Sequence, residues 1–571
     1  MESYSISSPL RVAIVGCGPK GFYSLERLCH ELSTLSSKQK VEITLFEPTG
    51  YPASGAVYDP KQPHYLRMNF ASRHVDAWLR EETEIDAAYP QPTFVQWLKK
   101  QYPLFSDPDG FAPRALVGEY LYWCYQQVAL HLPERVTLRW KRDKVIDIVR
   151  QKTAWTVLSE NGQTNDFDEV LISTGHGGWH AAANSRQLPT ALHLTSIDCI
   201  FPTEEKLSES AVPPDAKTAI CGFGLSCMDA ILALTEGRGG TFHCEDHRWS
   251  YQPNGQEPSV ILPFSRTGRP MLAKPIPACV CLPTTINSVW QAGRNQLRQM
   301  ATQSQTTQFK ESLWPVILQT AKNAFWIIED RPESAQDECN PVADWFEHWI
   351  QTEADDQASH AALKQSYRVA TGQTLPDEAW ALGETWRQLY PALIECVNHG
   401  KLAEAEWEEF HLIAREMERI AFGPPAENVG RILALIELGI VDLSGLRGHL
   451  RTTKHYATII TQTFRCEVDC LINAIIPASN DHSPDSLLGK LLERGALRKM
   501  PGAGGIEVDP AARPLNAKGE TMQGLAVLGR PTEGCILGND TLNRRLHTLP
   551  SEWAKQIAEK TASQKEPCVV H

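Results

Sequence analysis

Glycine recurs at 16, 18 and 21 in LRVAIVGCGPKGFYSLERL and at 222 and 224 in KTAICGFGLSCMDAILAL, each time where an apolar run gives way to a helical pattern. A turn without side chains lets the backbone approach a pyrophosphate at the N-terminus of the next helix, which Pro19 opens in the first case. The chemistry open to such turns is dinucleotide binding. Two turns in one chain imply two dinucleotides, and the pairing expected is FAD on the first and NADPH, or NADH, on the second. That points to redox chemistry.

Other residues support or weaken each turn. The first is followed by VEITLFEP, a strand ending in Glu47, whose carboxylate can accept both hydroxyl protons of an adenosine ribose. DEVLISTGHGG is a further apolar strand, and its end at Ser173, Thr174 and Gly175 gives the backbone another close approach to a dinucleotide. The second turn departs from the pattern, because Cys227 stands at the third glycine position and requires a wider helix–strand approach. Ser226 and the helix N-terminus can still donate to a phosphate. Arg266 or Arg269 can take the extra phosphate of NADP in a guanidinium fork, the alternative being a solvated arginine. In DCLINAIIPASN, Ile475 and Ile476 stand where a closer approach would need small residues, so that strand end is structural or marks a changed pocket.

No acid pair or nucleophile triad stands out. His74 and His176 lie nearest the glycine motifs and are candidates for proton transfer near neutral pH, against the commoner structural role of a lone histidine. No HExxH pattern occurs, so no metal site is expected. Trp345, Trp349, Trp380 and Trp386 are expected to build a helical core in preference to a stacking cage.

The elements that must position these residues follow from periodicity. Residues 10–47 read as strand, turn, helix and strand, and 136–175 alternate like strands. A second strand, turn and helix begins at 217, and Asn254-Gly255 is expected to turn a hairpin. Helical patterns fill 285–450, and strand character returns in HYATIITQTFRCEVDCLINAIIP and GLAVLGRP, both expected to complete the first sheet. The fold expected is α/β, with two Rossmann-like dinucleotide-binding domains, the FAD domain being discontinuous around a helical insertion. The divisions are 1–190 for the first part of the FAD domain, 191–310 for the NAD(P)H domain, 311–450 for the helical segment, and 451–571 for the completion of the FAD domain and a helical tail.

The 571 residues are 42% hydrophobic and 22% charged, an ordinary globular balance, and the net charge of -13 offers no basic stripe for nucleic acid. Fifteen cysteines without a CxxC pair read as reduced core thiols. MESYSISSPL lacks a basic segment followed by an apolar stretch, and no run of about eighteen apolar residues appears. A cytoplasmic protein without a membrane partner is expected, its oligomeric state left open.

GYPASGAVYDPKQPHYLRMNFASRHVDAW, FAPRALVGEYLYW, NGQEPSVILPFSRTGRP and LGRPTEGCILGNDTLNRRLH together resemble a broad bacterial family of two-dinucleotide FAD/NAD(P)-binding flavoproteins. That family is related to flavin-dependent N-hydroxylating monooxygenases such as nitrosuccinate synthase. The resemblance is loosest between 310 and 410. It implies that Gly55, Tyr58 and Asn69 lie along the flavin, with Asn69 also a catalytic candidate, and that Arg114 and Tyr120 hold the cofactor or shape its pocket. Tyr58 and Tyr120 are equally readable as core aromatics, and Arg114 as the partner of an acid. Val145 and Gly529 are implied cofactor contacts as well. The implied activity is an NAD(P)H-consuming monooxygenase that acts through a flavin hydroperoxide on molecular oxygen and N-hydroxylates a small-molecule amino acid or amine. The alternatives are a reductase or oxidase with the same cofactors, a heterocycle hydroxylase, and a non-enzymatic flavin-binding sensor or assembly protein.

Overall fold

The structure is a computed structural model that describes residues 8–35, 37, 39–79, 89–175, 190–303, 306–331, 339–476, 482–539 and 541–563. The apolar run Leu10–Val15 forms a strand that pairs in parallel with Val41–Phe46 on one side and Glu169–Ile172 on the other. Val12, Ala13 and Ile14 are wholly buried, as a strand covered on both faces requires. Val136–Lys141 extends one edge of this sheet and Leu525–Val527 the other, so the order is Leu525–Val527, Glu169–Ile172, Leu10–Val15, Val41–Phe46, Val136–Lys141. An antiparallel meander of Val145–Gln151, Ala154–Ser159 and Thr164–Phe167 stands between the third and fourth of these strands in sequence. The C-terminal helix Leu549–Ser563 returns to pack on the helix Pro19–Thr34. Its anchor is Glu169, fully buried, which takes Arg513, the Trp553 indole N–H at 3.3 Å and the Lys560 ammonium at 3.0 Å.

A second parallel sheet has the order Val260–Phe264, Lys217–Cys221, Cys470–Asn473, Thr195–Ile197. The late strand run up to 473, expected in the first sheet, therefore belongs to the second. Cys470–Asn473 is buried along its whole length and needs a neighbour on each side. Asp469 sets its register by accepting from the Lys217 N–H at 2.8 Å. The preceding strands His449–Thr452, Ala457–Ile460 and Arg465–Val468 form a separate antiparallel meander whose apolar face joins that of the second sheet.

The hairpin also lies elsewhere than expected. Thr241–Glu245 pairs with Arg248–Gln252 across Asp246 and His247, both at positive φ (48° and 60°), the geometry of a two-residue turn matched to strand twist. Asn254 and Gly255 instead donate their N–H groups to the Glu257 carboxylate at 3.0 and 2.9 Å. Helices fill the stretch from Ile286 to Glu437, within the helical pattern expected over 285–450 and beginning before the domain division drawn at 311. Most of them share one apolar core with the first sheet, whereas Asp356–Ala370 and Ala426–Glu437 pack into the core of the second. Among the described residues no helix is long and apolar enough to cross a membrane.

Candidate functional site

At the carboxyl end of the first sheet the chain turns at Gly16, with φ at +82°. A Cβ there would lie 2.7 Å from the Ser173 carbonyl oxygen, and one on Gly21 would lie 2.4 Å from the Gly16 carbonyl oxygen. Both positions are small because the protein packs on itself. Gly18 differs, since a Cβ there would meet nothing nearer than Gly55 Cα at 4.0 Å, and Gly55 itself has φ at +61°. Behind this open space the sixteen-residue helix Pro19–Thr34 has no capping side chain and no acid in its first turn. Its unmet N–H groups and dipole make a site for an anion.

The other predicted residues of this site gather around that turn. Glu47 is 4% exposed and accepts from the N–H groups of Cys17 at 2.7 Å and Thr49 at 3.0 Å, one on each carboxylate oxygen. Each oxygen keeps a second lone pair for a ribose hydroxyl. Ser173 donates to the Gly16 carbonyl at 2.6 Å, which brings Thr174 and Gly175 beside the turn; around Gly175 a Cβ would meet nothing within 4 Å. Gly529, with φ at +79°, lies against the Lys20 side chain. Val145 is buried at the start of the first meander, opposite Ser159. His176 lies outside the described residues. The open face above Gly18, the uncapped helix and the accepting oxygens of Glu47 fit a bound FAD.

The second turn has a similar frame. Gly222 sits at φ +117°, and Gly224 begins the ten-residue helix Leu225–Leu234, again with no capping side chain and no acid in the first turn. A Cβ on Gly224 would meet only the Met271 sulfur at 3.6 Å. Ile475, however, leans on Gly222, with its Cγ1 3.4 Å from where a Cβ would stand. Cys227 is fully buried where the helix crosses the strand, and Ser226 is 6% exposed at the second helical position. The two arginines separate in role. Arg269 forms a two-pronged pair with Glu416, both bonds 3.0 Å, and is not available to a nucleotide phosphate. Arg266 is exposed and has no ion pair among the described residues.

Arg114 and Tyr120 are found with the partners of their alternative readings, an acid and an aromatic core. Arg114 grips Asp229, at 2.8 and 3.2 Å, and donates to the Arg67 carbonyl at 3.0 Å, so it joins the first unit to the helix of the second turn. Tyr120 is wholly buried among Phe94 and Trp97, and its hydroxyl donates to the Pro92 carbonyl at 2.8 Å. Tyr58 is partly buried against the first core, and its carbonyl lies so close to Gly118 that a Cβ there would overlap it.

Asn69 and His74 come together with residues that no motif announced. The Asn69 side-chain amide donates to the Phe422 carbonyl at 3.3 Å, and its own carbonyl accepts from the Lys274 ammonium at 2.7 Å. Phe70 and Phe422 flank that ammonium, 5.9 and 5.7 Å from it, and the His74 ring leans on Phe70 at 5.3 Å. Burial pushes Lys274 down to about 7, helped by Arg387 and opposed by Glu384. Partial burial lowers His74 too, with Arg73 and Lys274 acting in the same direction. Burial pushes Glu384 up, but Arg387 and Gln388 outweigh it and hold its carboxyl below the ordinary range. Tyr390, whose hydroxyl lies 2.9 Å from where a Cβ on Gly538 would stand, packs edge-on to Phe422 and so connects this cluster to the loop after Gly529. The one sequence signal was that Lys274 follows closely on FSRTGRP, a segment that carried the resemblance.

Residues 269–275 act as a partition. Met271 touches the second glycine turn and Lys274 reaches Asn69, while Arg269, Leu272, Ala273 and Pro275 line a cavity of about 210 Å³ on the other side. Trp345, Trp349 and Trp380 line it too, the first two stacked at 5.5 Å, whereas Trp386 packs against Trp314 in the core as expected. Among the described residues there is no cluster able to hold a metal ion.

Nitrosuccinic acid synthase of Aspergillus oryzae is 24% identical over 92% of this chain and 88% of its own length. An L-aspartate N-monooxygenase (nitrosuccinate-forming) of Streptomyces davaonensis is 24% identical over 85% of each chain. Among solved structures, cyclohexanone monooxygenase in an open crystal form is a distant likeness, at 13% identity and a TM-score of 0.43 over 98% of this chain and 89% of that one. Residues 13–177, the stretch that carries Gly16, Gly18, Glu47 and Ser173, match the family described as FAD-NAD(P)-binding.

Proposed function

We propose that the chain is an FAD-dependent, NAD(P)H-consuming monooxygenase that oxygenates the nitrogen of an amino acid or small amine. The observation that carries this reading is the pair of uncapped, acid-free helix N-termini behind Gly18 and Gly224, each at the carboxyl end of its own parallel sheet, with the segment from Met271 to Lys274 running from the second turn to Asn69. The names of the two relatives supply the direction, oxygen transfer to an amine nitrogen.

A bound flavin would supply hydride acceptance and oxygen activation. The chain's own part is to hold and orient. Gly18 and the helix it begins take the FAD pyrophosphate, and Glu47 takes the ribose. Ser226 and Arg266 take the phosphates of NADPH. Asn69, fixed by the Phe422 carbonyl, orients the substrate, while Phe70 and Phe422 keep water from the reacting nitrogen. His74, its proton affinity lowered, is neutral at pH 7 and can accept a proton from the substrate ammonium. On this reading the first cofactor unit comprises 8–175 with 482–563, the second comprises 190–264 with 449–473, and the helices from Ile286 onward wall the substrate side. A small amine and molecular oxygen are the partners, in a reducing cytoplasm.

The test is the flavin spectrum of the purified protein, its anaerobic bleaching by NADPH, and oxygen uptake across the common amino acids and simple amines. The expected result is substrate-triggered oxygen uptake without equivalent peroxide. Peroxide equal to the oxygen consumed identifies an oxidase, and a flavin that NADPH does not bleach overturns the reading.

A further inference from the structure

Lys274 is a half-buried cation without a carboxylate at ion-pairing distance among the described residues. Every charged group that bears on it is accounted for. On the helix Glu378–Val397, Glu384 is held by Arg387 at 2.6 Å and by Gln388 at 2.8 Å. Arg387 completes its own bonding on the Ala421 carbonyl at 2.5 Å. On the loop that carries Asn69, Arg73 is paired with Asp109, and His74 lies beyond Phe70 with its proton affinity lowered. On the helix Trp407–Ala421, Glu416 is taken by Arg269. What touches the ammonium is one carbonyl, from Asn69, and two aromatic rings. A carbonyl and two rings stabilise a cation less than a carboxylate does, so an ammonium left this way in low dielectric is an open receptor for an anion. It stands beside Asn69, three residues from the Met271 that lies on the second glycine turn.

We propose that Lys274 binds a carboxylate of the substrate, so that the substrate is an amino acid and not a simple amine. This rests on the monooxygenase reading for the reaction but not for the binding. The carboxylate pairs with the ammonium beside the Asn69 carbonyl and the Phe70 and Phe422 rings, and orients the amine toward the cofactor cleft. Because the free lysine sits at about 7, carboxylate binding is accompanied by proton uptake at pH 8, and affinity falls up to about tenfold per pH unit above 7.

Isothermal calorimetry on the FAD-loaded full chain, with the common amino acids and with ethylamine, alanine's analogue without a carboxylate, tests this. The expected result is that amino acids bind and ethylamine binds at least tenfold more weakly. Lys274→Met raises the dissociation constant and KM at least tenfold, out of proportion to any fall in kcat. Lys274→Arg restores binding and removes its pH dependence between 7 and 9. Equal binding of ethylamine, unchanged affinity in Lys274→Met, a loss confined to kcat, or no amino-acid binding by the wild type each overturns the proposal. Binding lost in Lys274→Met with no oxygen uptake in the wild type leaves Lys274 as the carboxylate receptor and removes the monooxygenase reading.

Discussion

Gly16 and Gly18 are two residues apart, and their neighbours give them opposite tasks. A side chain at Gly16 is strained by φ +82° and meets the Ser173 backbone, while one at Gly18 meets open space on the cofactor side. Gly16→Val is therefore expected to lose more than the ~1–3 kcal/mol of a strained backbone alone and to be recovered in low yield. Gly18→Val is expected to fold, with a thermal midpoint close to the apo wild type, but to release FAD; flavin absorbance after gel filtration checks it, and a flavin-loaded Gly18→Val removes the site. Arg266 is the residue proposed for the second nucleotide. Arg266→Ala is expected to raise KM for NADPH about tenfold and leave KM for NADH within twofold, measured by flavin bleaching, since on the proposed assignment the charge lost serves the extra phosphate alone. The glycines and Glu47 were legible because their task is local: a turn, a strand end and a helix start within forty residues. Lys274 was not, because its significance lies in what is missing around it, and an absent carboxylate leaves no trace in the order of residues. Arg114 misled for the opposite reason, its partner Asp229 being 115 residues away.

At the scale of elements, the Arg114–Asp229 pair is what sets the helix Arg114–Leu130 against the helix Leu225–Leu234, and hence one glycine turn against the other. Asp229 is 3% exposed; burial pushes its carboxyl up and Arg114 pulls it back. Arg114→Ala leaves that carboxylate buried without a partner, at a cost of about 3–5 kcal/mol at pH 8. The sign with pH follows, because a carboxyl whose folded pKa lies above its unfolded value binds more protons in the folded state and loses stability as pH rises. Arg114→Ala is expected to be markedly more stable to urea at pH 5 than at pH 8, and Arg114→Ala with Asp229→Asn is expected to abolish the difference. Strand and helix types were readable from periodicity, but the partner of each strand was not. Cys470–Asn473 and Leu525–Val527 are both short apolar runs late in the chain, and their pairing with Lys217–Cys221 in one case and Glu169–Ile172 in the other places them in different sheets. The hairpin at Asp246 and His247 was missed because two non-glycine residues adopt positive φ there, while the glycine-bearing pair at 254–255 serves the Glu257 carboxylate.

At the scale of the molecule, the loop from Gly529 to His547 joins the first sheet to the helical wall: it leaves the edge strand, lies on Lys20, and reaches the helices around Tyr390 and Asn398. The Leu537 N–H donates to the Asn398 side chain at 2.9 Å, the Cys535 carbonyl accepts from His399 at 3.0 Å, and Gly538 lies under Tyr390. His547 closes this loop at 8% exposure, with its Nε2 lacking a hydrogen-bond partner among the described residues. Burial pushes it down to about 3, with Lys20 acting in the same direction. The unfolded chain takes up a proton at this histidine below about 6.5 while the folded chain does not, so stability is present above that pH and is lost as pH falls toward 3. One such group gives a slope of up to about 1.4 kcal/mol per pH unit, hence up to about 2 kcal/mol between pH 6.5 and 5. His399, also lowered by burial and seated on the same loop, adds in the same sense. Because the loop touches the first glycine turn and the helical wall together, its opening is expected to release flavin before the sheets unfold. Flavin fluorescence followed from pH 7 to 5 should therefore rise ahead of the far-ultraviolet circular dichroism change. His547→Gln, which keeps a polar side chain without a titrating proton, should flatten the stability slope by about one proton and move flavin release to lower pH; an unchanged slope would place the acid sensitivity elsewhere in the molecule.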